Sequence, residues 1–119
     1  MINNCQFCQE DFVASRNQRK YCSKECSVNG QRLVAQCKSF NITIKVFFAM
    51  LASQDNRCGI CRKEFTVKKF AIHIDHNHST GKIRGLLCRK CNLLLGHAKD
   101  DKRILNSGIR YLNQFSKSV

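Results

Sequence analysis

Eight cysteines in four close pairs constrain this chain more than any other feature. Cys5 and Cys8 form a CxxC pair, Cys22 and Cys26 a CxxxC pair, and Cys58/Cys61 and Cys88/Cys91 two further CxxC pairs. Thirteen residues separate the first two pairs and 26 the last two, and Cys37 is left over. A short turn between paired cysteines presents both sulfurs to one ion, and four thiolates suit tetrahedral zinc. The N-terminal "MINNCQFCQEDF" lacks the apolar region of a secretory signal, and no apolar run approaches a membrane span. The expectation is therefore a cytoplasmic protein whose thiols stay reduced, with the pairs acting as metal knuckles rather than disulfides. At 119 residues and 43% hydrophobic composition, the chain has little core to spare, so metal staples carry much of its stability.

The pairing divides the chain. Residues 1–30 read as an N-terminal zinc-finger module, 31–57 as a connecting helix, and 58–119 as a second zinc-centred unit with a C-terminal helix. In the connector, "NITIKVFFAMLASQ" sets Ile42, Val46, Phe47, Met50 and Leu51 on one helical face. "FAIHID" and "IRGLLC" alternate as strands, joined by "HNHSTGK" with Gly81 as the turn residue. "RKCNLLLGHAKDDK" begins a helix that Gly96 is expected to break, with Leu93, Leu94 and Leu95 in the core. "KRILNSGIRYLNQF" places Ile104, Ile109, Leu112 and Phe115 on one face of a last helix. The fold class is small α+β, stabilised by zinc. Phe12 and Tyr21 are the expected minimal core of the N-terminal finger, and Cys37 reads as a buried small hydrophobe.

Twenty-one basic residues stand against eight acidic ones, a formal +13. Counting eight thiolates and two zinc ions leaves about +9. Such an excess calls for a polyanionic partner, with nucleic acid ahead of an anionic membrane because no basic amphipathic helix with a wide apolar face is evident. Arg16, Arg19, Lys20, Lys24 and Arg32 surround the first cysteine set. Lys68, Lys69, Lys82, Arg84, Arg89 and Lys90 flank the histidines between the later pairs, and all are candidates for phosphate contacts.

If Cys58, Cys61, Cys88 and Cys91 hold zinc, that site is closed and structural. The stretch "HIDHNHSTGKIRGLLCRKCN" then has residues to spare. Zinc would clamp the hairpin to the following helix and bring Asn92, just after the last cysteine, near Asp75. Both are hard oxygen donors, suited to magnesium rather than zinc. With Asp75 on an ion, His76 can face outward toward a water, and a neutral imidazole is a plausible general base near neutral pH. A second, histidine-bearing zinc site would leave Asn92 unexplained. His73 is at best a hairpin or phosphate contact, and His97 has no assigned role.

"CGIC", "IDHNHSTGKIRGLLCRKCNLLLG" and the following "DD…L…YL" resemble the recombination endonuclease VII family, a zinc-stapled branch of the HNH or ββα-metal nucleases, over about residues 42–115. The resemblance implies structural zinc at Cys58, Cys61, Cys88 and Cys91. It also implies a catalytic magnesium or manganese ion at Asp75 and Asn92, His76 as general base, and His78 helping with the metal or the scissile phosphate. The implied activity is a DNA endonuclease leaving 5′-phosphate ends. A phage-encoded member would act in the cytoplasm of its bacterial host. Without sustained apolar heptads, the expectation is a monomer that mainly nicks duplex DNA. The alternatives are a homodimeric resolvase of branched DNA, or a non-catalytic zinc-finger nucleic-acid-binding protein on the same scaffold.

Overall fold

The computed structural model describes residues 1–16, 19–66 and 71–115. Lys68, Lys69 and Phe70, the last of these expected to open a strand, lie outside the described residues. Two two-stranded antiparallel sheets and four α-helices make up the described chain.

The chain opens with β1 (Ile2–Asn4) and β2 (Asp11–Val13), paired Ile2 to Val13 and Asn4 to Asp11. The knuckle between them closes through Cys5 N–H on the Glu10 carbonyl and Gln9 N–H on the Cys5 carbonyl. Phe7, in the knuckle, is fully buried, whereas Phe12 and Tyr21 are only partly so. Phe7 thus anchors the module that Phe12 and Tyr21 were expected to fill.

Helix α1 (Lys24–Ser39) starts at Ser23, whose hydroxyl accepts from the Cys26 N–H at 3.1 Å. It runs through the expected boundary at residue 30, so the connecting region holds two helices rather than one. Its buried face is Cys26, Asn29, Gly30, Leu33 and Cys37, at helical spacing. Gly30 is there because Tyr21 lies against the helix: a Cβ would meet Tyr21 Cε1 at 2.2 Å. Asn41, at φ 59°, turns the chain into α2 (Ile44–Ser53), capped by the Thr43 hydroxyl on the Val46 N–H. Phe47 and Leu51 of α2 are buried, with Ile42, Ile44, Phe48 and Met50 packed beside them. Val46 faces outward instead, because the inward stripe follows Phe47 rather than its neighbour.

The second sheet pairs β3 (Ile72–His76) with β4 (Ile83–Cys88). Its register runs Ile72–Cys88, His73–Leu87, Ile74–Leu86 and Asp75–Gly85, then shifts between Asp75 and His76 so that His76 opposes Ile83. The connection turns at Gly81 (φ 75°), with the Asn77 side chain accepting from the Ser79 and Thr80 N–H groups. Ile72, Ile74, Leu86 and Leu87 are buried. Helix α3 (Arg89–His97) follows β4 directly and packs on both strands. Gly96 stays inside α3, and the break comes later, at Lys99 and Asp100, both at positive φ (54° and 57°). Leu93 and Leu94 are exposed, and only Leu95 packs on the core. Helix α4 (Lys102–Phe115) buries none of its residues, and Ile104, Ile109, Leu112 and Phe115 face solvent. The helix is where it was expected, but among the described residues its apolar face is left unburied.

Gln54, just past α2, ties the helix to the sheet. Its Nε2 donates to the Leu86 carbonyl at 2.9 Å and to the Arg57 carbonyl at 2.8 Å, and its Oε1 accepts from the Leu86 N–H at 2.9 Å. The amide thus pairs with β4 as a neighbouring strand would. One continuous core joins Cys5, Phe7, Leu33, Phe47, Cys58, Ile74 and Leu86.

Candidate active site and metal centres

Both four-cysteine sets assemble. Within each set the sulfurs lie inside 4.8 Å of one another. Cys8 and Cys22 are 3.7 Å apart, Cys22 and Cys26 3.5 Å, and Cys61 and Cys88 3.9 Å. Zinc–sulfur bonds of about 2.3 Å at tetrahedral angles set sulfurs about 3.8 Å apart, so both cages fit that ion. The two cages share a plan: a knuckle gives one pair, and a chain entering a helix gives the other, Cys22/Cys26 at α1 and Cys88/Cys91 at α3.

Backbone N–H groups are turned onto the buried sulfurs. Cys22 N–H donates to Cys5 Sγ at 3.3 Å, and the N–H groups of Cys88 and Ile60 donate to Cys58 Sγ at 3.4 and 3.5 Å. Burial works to raise the Cys5 thiol, but backbone bonds from Cys8, Cys22 and Phe7 outweigh it and bring its pKa down to about 6. Cys58 behaves alike: burial is outweighed by the N–H groups of Cys88, Ile60 and Cys61, and its pKa also falls to about 6. Burial and neighbouring sulfurs push Cys8 and Cys91 up to about 12. Each cage therefore offers a ready thiolate beside thiols that a cation must deprotonate. Cys37 is buried within the core, away from both cages, and burial raises its thiol.

The end of β3 sends adjacent side chains apart. Asp75 points inward, its side chain only 8% exposed. Both carboxylate oxygens are held by Arg84: Nε donates to Oδ2 at 2.7 Å and Nη2 to Oδ1 at 2.9 Å. The same Nη2 reaches Asp100 Oδ1 at 3.4 Å. The bond to Asp75 raises the Arg84 pKa further above its usual value, against partial burial and with help from Asp100. His76, one residue on and past the register shift, turns the other way. Its ring lies 5.0 Å from Phe40 and 4.6 Å from the exposed His78, centroid to centroid. Asn92 sits half-exposed on the first turn of α3, the helix packed against β3. Asp75 and Asn92 are hard oxygen donors of the type a divalent ion prefers, and the Asp75 carboxylate already engages a cation, Arg84.

Arg84 forms part of the walls of two cavities. One, of about 430 Å³, is also lined by Asp75, Gln54 and Leu95. The other, of about 650 Å³, is lined by His78, Ser79, Lys99, Asp100 and Lys102. Among the expected phosphate contacts, Arg16, Lys20, Lys24, Lys82 and Arg89 are exposed. Arg19 is fixed by its own module, donating to the Tyr21 and Cys22 carbonyls and lying 5.5 Å over the Phe12 ring. Arg84 is exposed as well, but its fork is held on Asp75. Phe40 and Gln54 were missed by sequence reasoning. Neither carries a local signal, since each acts through a contact distant along the chain.

Residues 31–114 match the family described as Recombination endonuclease VII. The chain is 30% identical over 121 residues to the Gene 59 protein of Mycobacterium phage D29, covering 92% of this chain and 73% of that protein. It is 37% identical over 75 residues to the Gene 59 protein of Mycobacterium phage L5, covering 62% of this chain and 45% of that one. Among solved structures it is similar to the ββα-Me type II restriction endonuclease Hpy99I. That similarity has a TM-score of 0.50 and 23% identity, and covers 97% of this chain and 66% of the other. The likeness extends the fold comparison across the N-terminal cage, which the family match leaves out.

Proposed function

We propose that this chain, which belongs to the recombination endonuclease VII family, is a divalent-metal-dependent endonuclease of HNH type that hydrolyses DNA phosphodiester bonds and leaves 5′-phosphate ends. One observation carries the reading: at the end of β3, Asp75 turns inward beside α3 while His76 turns out toward His78 and Phe40. That divergence separates a cation-binding carboxylate from a base.

Asp75 and Asn92 would hold the ion. Magnesium or manganese bound there would neutralise charge developing on the scissile phosphate and its leaving oxygen. His76 takes a proton from the attacking water, and Phe40 limits the rotation of its ring. His78 lies beside it, exposed, and contacts the phosphate. Zinc at both cages is structural, since four sulfurs leave no open position. Arg16, Lys20, Lys24, Lys82 and Arg89 supply backbone contacts from the surface. No helix among the described residues is long and apolar enough to cross a membrane. Its relatives are phage proteins, and the reading places its action in a bacterial host's cytoplasm.

With one Asp75–His76–Asn92 set per chain, a monomer cuts one strand at a time. The exposed stripe of Ile104, Ile109, Leu112 and Phe115 favours a second reading, in which two chains pair through α4 and cut both strands, as a branched-DNA resolvase must. Supercoiled, linear and branched DNA, incubated with and without magnesium beside a His76→Ala control, test both. The nicking reading expects nicked circles before linear product, and linear product formed directly by a dimer selects the second. Equal cleavage by His76→Ala would overturn the assignment of the base.

A further inference from the structure

We infer that Arg84 is a displaceable internal cation: it holds the Asp75 carboxylate until a divalent ion takes it, and its guanidinium then turns to a DNA backbone phosphate in the cavity beside His78. The inference rests on the reading of Asp75 as a metal ligand.

Asp75 is nearly buried, and a carboxylate in such a place requires a partner cation. Arg84 meets the requirement with both arms of its fork, at 2.7 and 2.9 Å. A doubly charged ion on the same oxygens would stand within a few ångströms of the guanidinium, and two like charges so close in a poorly solvated site repel strongly. Asp75 therefore serves one cation or the other.

Arg84 has somewhere to go. Its Nη2 is already within 3.4 Å of Asp100, too long for a strong bond but close enough to guide the fork away. Asp100 stands at the left-handed turn between α3 and α4, next to Lys99. The Arg84 side chain is 34% exposed and lines both cavities, so side-chain rotation alone carries it from Asp75 toward Lys99 and Lys102. There it adds a planar fork, which matches a phosphate's geometry, to two lysines that act only as point charges. The exchange makes metal and DNA binding cooperative, because phosphate holds Arg84 away from Asp75 and so leaves the carboxylate for the ion.

Manganese binding measured by electron paramagnetic resonance tests this with zinc-loaded protein. Manganese prefers oxygen ligands and leaves the thiolate cages to zinc. All proteins carry His76→Ala, so that a short duplex can be added without being cut. Removing the competing charge-assisted bonds by Arg84→Gln is expected to tighten manganese binding about tenfold without DNA. The duplex should tighten binding to the Arg84 protein more than to Arg84→Gln, where only direct contact between phosphate and ion remains. Arg84→Lys, which keeps the charge and loses the fork, should fall between and guards against misfolding of the glutamine variant. Weaker or unaltered manganese binding in both variants would overturn the inference. Asp75→Asn separates the two readings. If it binds manganese like its parent, the metal site itself is misassigned. If it loses manganese while the Arg84 variants gain nothing, only the role of Arg84 falls.

Discussion

Gln54→Ala should destabilise the protein by about 2–4 kcal/mol, a large effect for a half-buried surface amide. The substitution removes three hydrogen bonds, two to Leu86 and one to the Arg57 carbonyl. They are not equal. Arg57 is exposed, and water replaces the lost donor there. The Leu86 carbonyl still receives the Gly59 N–H at 3.0 Å. The Leu86 N–H, in a residue with no exposed surface, faces Gln54 Oε1, and orphaning a buried donor costs about 1–3 kcal/mol by itself. The other two bonds, each replaced in part, add only the low end of the usual range, about 0.5 kcal/mol each. Urea unfolding of zinc-loaded protein measures the sum. Gln54→Glu keeps the acceptor for Leu86 N–H and loses both donations, so it should recover part of the loss. A Gln54→Ala protein within about 0.5 kcal/mol of its parent, the range of ordinary surface changes, would refute the view that this amide serves as a strand for β4.

His76→Ala should cut the cleavage rate by about 10²–10⁴ while leaving the unfolding midpoint nearly unchanged, checked by plasmid cleavage beside thermal melting. Metal analysis should find two zinc ions per chain, and a strong chelator should unfold the protein rather than only inhibit it, followed by circular dichroism. Acid should release that zinc. The Cys5 and Cys58 thiols fall from 9.0 to about 6, so their thiolates stabilise the fold fully above pH 9, less as pH falls, and not below about 6. A zinc-sensitive dye should therefore report release on acidification, not on raising the pH. Gly30→Ala should cost about 1–3 kcal/mol, because its methyl would stand 2.2 Å from the Tyr21 ring and force that ring off α1.

The cages were legible because paired cysteines are a local signal whose meaning hardly depends on the rest of the chain. The hairpin was legible for a similar reason, with alternating residues on either side of Asn77 and Gly81. Helix α1 was not, since its buried face is built from Cys26, Asn29, Gly30, Leu33 and Cys37, and only one of these is a large apolar residue. Val46, Leu93 and Leu94 look like core residues and are exposed. Which stripe of an apolar helix turns inward is decided by its tertiary partner, not by its own composition. At the candidate site, Asp75, His76, His78 and Asn92 stood out by type and spacing. The Arg84 fork did not, because it depends on a cross-strand register that the sequence does not state. Nor did Phe40, which meets His76 from 36 residues away along the chain.

Helix α3 begins without a side-chain cap, since Cys88 occupies the cap position and its sulfur belongs to the second cage. A helix of nine residues does not hold together in water on its own. A zinc tetrathiolate at that end carries net negative charge, which the helix N-terminus favours, and it pins the first turn through Cys91. With an ion in that cage, the helix that presents Asn92 would be started by the ion rather than by its own residues. Timing follows from that. With zinc as that ion, a newly made chain would have no ordered α3 until zinc arrived, and the supply of zinc would set the moment at which each copy could present Asn92.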